Sequence, residues 1–257
     1  MKQQLHIFFT ALMFLTRIPV PRWVHHSHHA LQQSARYFSL VGVLVGSIGA
    51  ITWLLALEWF SIPSAIVLSM LATLLTTGAF HEDGFADCCD AFGGGWTKEK
   101  ILTIMKDSRL GTFGVAGLFF ILALKGLLLF ELSVRFSPQM LALLLITAHA
   151  ISRFMPVTIM QQYPYVQDID ASKSKPLADR KLTVPELLTC ALFGLMGFAW
   201  LPLYCLWALP LMLVARWYAG RYFYKWIGGY TGDCLGATQQ VTEICFYAGI
   251  LIASRYI

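Results

Sequence analysis

Three carboxylates in the stretch HEDGFADCCDAFGGG could bind a cation. Asp83, Asp87 and Asp90 recur at i, i+4 and i+7, a spacing that stacks them on one face if the segment is helical. Like charges on one stripe repel and destabilise a bare helix, so a positive group is expected opposite them. Mg2+ meets that need, because it takes a few carboxylates together with phosphate oxygens and water. The plain alternative is a solvated acidic face, which the apolar sequence on either side disfavours. His81 and Glu82 stand just ahead of the stripe. Gly93, Gly94 and Gly95 follow it, and would end a helix and let the backbone approach a ligand closely. They could equally be a flexible linker.

Three further places could join this chemistry. In MKDSRLGTFG, Lys106 and Arg109 flank Asp107 and Ser108. Cations beside a metal-bound phosphate stabilise the charge of phosphoryl transfer, although the same residues could simply anchor the start of a span. In GGYTGDCLGA, Asp233 follows Thr231 and Gly232. An aspartate there can cap a helix, or serve as a second metal ligand or a general base. Arg153, in HAISRFMPV, falls about two turns inside an apolar run, where a charge is costly and a functional partner is the default expectation. Snorkelling to the interface is its bland alternative. His149, one turn earlier, could share the partner of Arg153.

The elements that must position these residues belong in a bilayer. Of 257 residues 57% are hydrophobic and only 13% charged, where a soluble domain has about a quarter. The net charge of +5 is spread over several short loops, which argues against a nucleic-acid partner. The six cysteines form no CxxC pair. Cys88 and Cys89 sit among the carboxylates, but adjacent cysteines suit zinc poorly and reduced thiols are expected.

Residues 5–20 are apolar but short for a span, contain Arg17 and stop at Pro19 and Pro21; an interfacial or re-entrant helix is expected. The histidines after it (His25, His26, His28, His29) read as a solvated loop. Spans are expected at about 37–57, with a Gly42, Gly46, Gly49 packing stripe, and at about 64–80, 112–130 and 140–160. A polar loop over 161–181 carries Asp168, Asp170, Lys173, Lys175, Asp179 and Arg180. One or two spans fit in 184–218, a loop in 219–235 and a last span in 237–253.

Fifteen of the nineteen Lys and Arg fall in 1–36, 81–110, 161–183 and 216–235. By the positive-inside rule these segments are cytoplasmic, which sets every chemically rich loop on one side. The expected fold is therefore all-α: a polytopic integral membrane helical bundle. It has about seven transmembrane helices plus the N-terminal interfacial or re-entrant helix. Residues 1–257 form a single integral membrane catalytic domain.

With these residues assembled, the sequence resembles the cobalamin synthase family, the adenosylcobinamide-GDP ribazoletransferases. The resemblance rests on FLTRIPVP (14–21), GAFHEDGFADCCDAFGGG (78–95), IMKDSRLGTFGV (104–115) and GGYTGDCLGA (228–237), in the family's order. It implies a Mg2+-dependent enzyme of the inner membrane with its active site on the cytoplasmic side. Such an enzyme joins adenosylcobinamide-GDP to α-ribazole or α-ribazole 5′-phosphate, giving adenosylcobalamin or its 5′-phosphate and GMP. In that setting Asp83, Asp87 and Asp90 would hold Mg2+, and Lys106 and Arg109 would neutralise the leaving phosphate. Asp233 or Asp90 would accept the hydroxyl proton. His81, Gly93, Gly94, Asp107, Ser108, Arg153, Thr231 and Gly232 complete the expected substrate-binding set. A homo-oligomer stays open. The spaced aspartates are also similar to those of CDP-alcohol phosphotransferases, but the AR part of that motif is absent. A small-solute or ion transporter is the further alternative, which would need polar residues deep in several spans.

Overall fold

The computed structural model describes residues 2–25, 27–166 and 180–256; the expected loop residues Asp168, Asp170, Lys173, Lys175 and Asp179, and His26, lie outside them. The described residues are helical, with one isolated bridge between Tyr165 and Tyr230. The helices are α1 (Lys2–Leu15), α2 (His28–Ser34), α3 (Phe38–Ala56), α4 (Ile62–Thr77), α5 (Phe80–Gly94) and α6 (Lys98–Met105). They continue as α7 (Thr112–Arg135), α8 (Pro138–Gln162), α9 (Val184–Leu195), α10 (Ala208–Ile227) and α11 (Gly232–Ala253).

Small residues set the closest packing. A Cβ on Gly46 of α3 would lie 2.7 Å from the Ile146 Cα of α8, and one on Gly49 would lie 2.7 Å from the Thr73 side chain of α4. The glycine stripe expected from the sequence thus seats α3 between α8 and α4. α7 turns Phe113, Phe119, Phe120, Leu127 and Val134 outward, as a helix bordered by lipid does. α11 is the inner helix, buried along most of its length from Cys234 to Ala253.

Four stretches are long and apolar enough to cross a membrane: His28–Ala56, Thr112–Arg135, Pro138–Gln162 and Leu203–Ile227. A fifth arises if α4 and α5, bent by 89°, count as one. Seven would need α9 and α11 as well. α9 has only 12 residues, and α11 carries Asp233, Gln239, Gln240 and Glu243, which lower its hydropathy. The 184–218 region resolves into α9, two short 3-10 turns and α10. The loop expected over 219–235 is corrected: α10 runs through Ile227, and only four residues connect it to α11. Tyr218, Tyr222 and Trp226 continue the helix as an aromatic ladder in which Tyr222 contacts both of the others, so its Arg and Lys residues did not mark a loop.

The bend between α4 and α5 has a local cause. Gly78 and Ala79 are both left-handed, at φ +66° and +59°, a conformation uncommon for a residue with a Cβ. Arg17 braces the bend: its N–H donates to the Thr76 carbonyl at 2.8 Å, and its side chain fills the space a Cβ on Gly78 would occupy. The FLTRIPVP motif therefore helps aim α5 across the end of α4, outside the apolar spans.

Candidate active site

The acidic stripe is helical, as its spacing required. α5 carries Asp83, Asp87 and Asp90, with Asp83 exposed and the other two partly covered. The helix is pinned to α11 by two glycines. A Cβ on Gly84 would lie 3.0 Å from the Asp233 Cα, and one on Gly236 would lie 3.1 Å from the His81 carbonyl oxygen. This contact brings Asp233, in the first turn of α11, against the stripe.

The charges confirm the clustering. Partial burial first, then the negative charges of Asp233, Asp83 and Asp90, push the Asp87 carboxyl up to about 7. Burial and then Asp83 push Asp233 up to about 6. Both shifts favour the protonated form unless a cation takes the proton's place. The two helices thus present carboxylates that a divalent ion would satisfy. Among the described residues, no group of three His, Cys, Asp or Glu side chains is already closed around a metal position.

Asp90 has a different immediate role. Its Oδ2 accepts the Gly111 N–H at 2.7 Å and its Oδ1 accepts the Gly114 N–H at 2.8 Å. It caps α7 from outside, filling the N-terminal donors that every helix leaves open. The following glycines serve packing: Gly93 lies under the Phe113 ring, Gly94 beside Ile104 and Gly95 against Ile101.

The remaining expected residues divide between loop and interior. Lys106, Ser108 and Arg109 are exposed between α6 and α7. Arg109 is held by Asp107, with Nη2 at 2.6 Å from Oδ2, and the guanidinium draws the exposed Asp107 carboxyl down to about 2. Thr231 caps α11, its hydroxyl accepting the Cys234 N–H at 3.3 Å. His81, Arg153 and Gly232 line one cavity. Arg153 donates from Nη1 to the His149 carbonyl at 2.9 Å, so the expected pairing with His149 is present.

Reasoning from the sequence missed a buried polar network behind the stripe. Lys125 of α7 meets Glu243 of α11 at 2.5 Å, both nearly inaccessible. Gln239 Nε2 donates to Glu243 Oε2 at 2.8 Å and to Ser152 Oγ at 2.9 Å. Tyr247 donates to Glu243 Oε1 at 3.2 Å. Gln240 Nε2 reaches Glu82 Oε1 at 3.1 Å, tying α11 to the residue preceding Asp83. Two opposite charges in separate apolar runs, Lys125 and Glu243, were the available signal.

A multi-pass helical membrane protein with carboxylates gathered where two helices meet outside its spans is, as a class, a membrane-embedded enzyme. Comparison with known sequences gives the particular family. The cobalamin-5-phosphate synthase family matches residues 7–251, and the chain belongs to it. An adenosylcobinamide-GDP ribazoletransferase of Shewanella pealeana is 45% identical over 252 residues, covering 98% of this chain and 96% of that protein. Proteins of the same name from Shewanella frigidimarina and Shewanella halifaxensis are 45% and 44% identical, covering 97% and 98% of the chain and 95% and 96% of their own lengths. No solved structure matches the chain. The protein is an enzyme of a late step of cobalamin biosynthesis, in agreement with the resemblance carried by its four motifs.

Proposed function

We propose that the enzyme transfers the phosphoryl-cobinamide group of adenosylcobinamide-GDP to α-ribazole or its 5′-phosphate and releases GMP. The observation that carries this reading is the meeting of Asp83 and Asp87 on α5 with Asp233 on α11, set by the Gly84 contact. A pyrophosphate donor needs a site that holds a cation beside its oxygens, and this cluster has the oxygen donors that Mg2+ prefers. Bound there, Mg2+ would offset pyrophosphate charge as the bond to GMP breaks.

The chain's own residues then have distinct tasks. Asp83 and Asp87 hold the cation, with Asp90 at the end of the stripe adding negative charge while it fixes the start of α7. Asp233 accepts the proton of the attacking hydroxyl at its carboxylate. Lys106 and Arg109 lie on the loop that follows α6 and neutralise the phosphate that leaves. His81, Arg153, Thr231 and Gly232 bind substrate on the α11 side. Gly93, Gly94, Asp107 and Ser108 shape the loop side.

We also place the site on the cytoplasmic face of the inner membrane. The exposed Trp217, Tyr218 and Tyr224, beside Arg221 and Lys225 on α10, support an interfacial belt there. The test uses membranes carrying the full chain, supplied with adenosylcobinamide-GDP. GMP release that requires both α-ribazole and Mg2+ is expected; release no higher than in empty membranes would refute the reading.

A further inference from the structure

A narrow cavity opens beside the acidic cluster, between α1, α3, α5, α8 and α11, with about 540 Å³ of empty space. Its walls are Phe14, Phe38, Phe80, Met160, Tyr165 and Tyr230, and it reaches Gly232, the residue before Asp233. The rings are ordered against each other: Phe14 stacks on Phe38 with an interplanar angle of 4° and meets Phe80 edge-on at 5.3 Å. Tyr165 and Tyr230 form a second edge-on pair at 5.5 Å, fixed by backbone hydrogen bonds that join Pro164 and Val166 to Tyr230.

One strong polar group interrupts this apolar wall. Arg153 lines the cavity and is 2% exposed. Its Nη1 is engaged by His149, yet its Nε finds no hydrogen-bond partner among the described residues. A buried donor left open costs free energy of the order of a lost hydrogen bond, about 1–3 kcal/mol. Such a donor marks a place where a ligand can supply the acceptor. A flat slot of aromatic rings with one open N–H donor suits a flat apolar heterocycle that has one unprotonated ring nitrogen.

We propose that this cavity is the subsite for the aromatic base of the acceptor nucleoside. The base is a benzimidazole: its carbocyclic edge packs among Phe14, Phe38, Phe80 and Met160, and its free ring nitrogen accepts the Arg153 Nε–H. This inference rests on the proposed transfer to α-ribazole and adds to it the group that the pocket reads. Purine has more polar ring atoms than this wall can satisfy, so the guanine of the donor fits it less well. The cavity's contact with Gly232 would leave the riboside's sugar near Asp233.

The experiment compares two acceptors and two variants in membranes carrying the full chain. Benzimidazole riboside and indole riboside differ at the ring nitrogen, which indole lacks. With the unaltered enzyme, the indole riboside is expected to show a KM about tenfold higher or more, a difference that largely disappears in Arg153→Met. Met160→Trp, which fills the slot, is expected to raise the benzimidazole riboside KM about tenfold while the donor KM changes less than about twofold. Equal KM values for the two ribosides in the unaltered enzyme would overturn the proposal. So would a rise confined to the donor KM, which would give the cavity to guanine or the corrinoid. No change in either KM in a folded Met160→Trp protein would also overturn it and leave a lipid chain as the occupant. Equilibrium binding of labelled benzimidazole riboside to the purified full chain decides the subsite even if no GMP is released: binding weakened by Met160→Trp supports the subsite, and absent binding contradicts it. Absent GMP release with intact riboside binding would count against the transfer reading alone.

Discussion

Asp90 of α5 caps α7 through the backbone of Gly111, its Oδ2 accepting that N–H at 2.7 Å while Oδ1 takes the Gly114 N–H. The last aspartate of one motif is thus fastened to the GTFG of another. The structure gives a reason for the two stretches to occur together: the loop bearing Lys106 and Arg109 is closed by the carboxylate at the end of the stripe.

Removing that cap has a predictable cost. Asp90→Ala is expected to destabilise the protein by about 1–2 kcal/mol, read as a lower midpoint of thermal unfolding in detergent. Asp90→Asn keeps one acceptor oxygen and should lose less. An unchanged midpoint in Asp90→Ala would show that the two hydrogen bonds do not hold α7.

The contact of Gly84 with Asp233 leaves no room for a larger side chain. Gly84→Val should force α5 and α11 apart, at a cost of roughly 1–3 kcal/mol, and abolish GMP release while the protein still inserts in the membrane. Retained activity with normal insertion would mean that this close approach does not set the acidic cluster.

Lys125 and Glu243 form a buried ion pair at 2.5 Å. Glu243→Gln leaves the lysine unmatched, and loss of one buried partner costs about 3–5 kcal/mol. The double variant Lys125→Met with Glu243→Gln should recover much of that loss. Thermal unfolding of the single and double variants measures the coupling; equal destabilisation in both would remove the pair from the account.

Asp87, held at about 7 by burial and by Asp233, Asp83 and Asp90, takes up a proton as pH falls through that value. A proton on Asp87 competes with a cation for the same oxygens, so the Mg2+ concentration needed for half-maximal activity should rise as pH falls from about 8 to about 6. A half-maximal Mg2+ concentration that does not vary with pH would separate Asp87 from metal binding.

The sequence already showed much of this arrangement. The i, i+4, i+7 aspartates did form one helix, and Gly42, Gly46 and Gly49 did mark where α3 packs. The companion role of Asp233 was visible as a loop aspartate sharing a compartment with the stripe, but its contact with Gly84 depends on how two distant helices meet. Asp90 looked like a ligand because spacing records which face a side chain shares, not which backbone donors lie across from it. Lys125 and Glu243 were hidden for another reason: a single charge in a long apolar run scarcely alters its hydropathy, and only the packed bundle shows that the two charges meet. The extent of α10 was misjudged because Arg221 and Lys225 read as loop residues, whereas on the helix Arg221 lies over the Trp217 ring and Lys225 over Trp226.

The most direct test of the central claim is GMP release from adenosylcobinamide-GDP by membranes carrying Asp83→Asn, Asp87→Asn or Asp233→Asn, each checked for normal insertion. The proposed site predicts that all three lose at least about a hundredfold of the acceptor-dependent rate, because each removes charge from one shared cluster. Near-normal GMP release by all three inserted variants would contradict it.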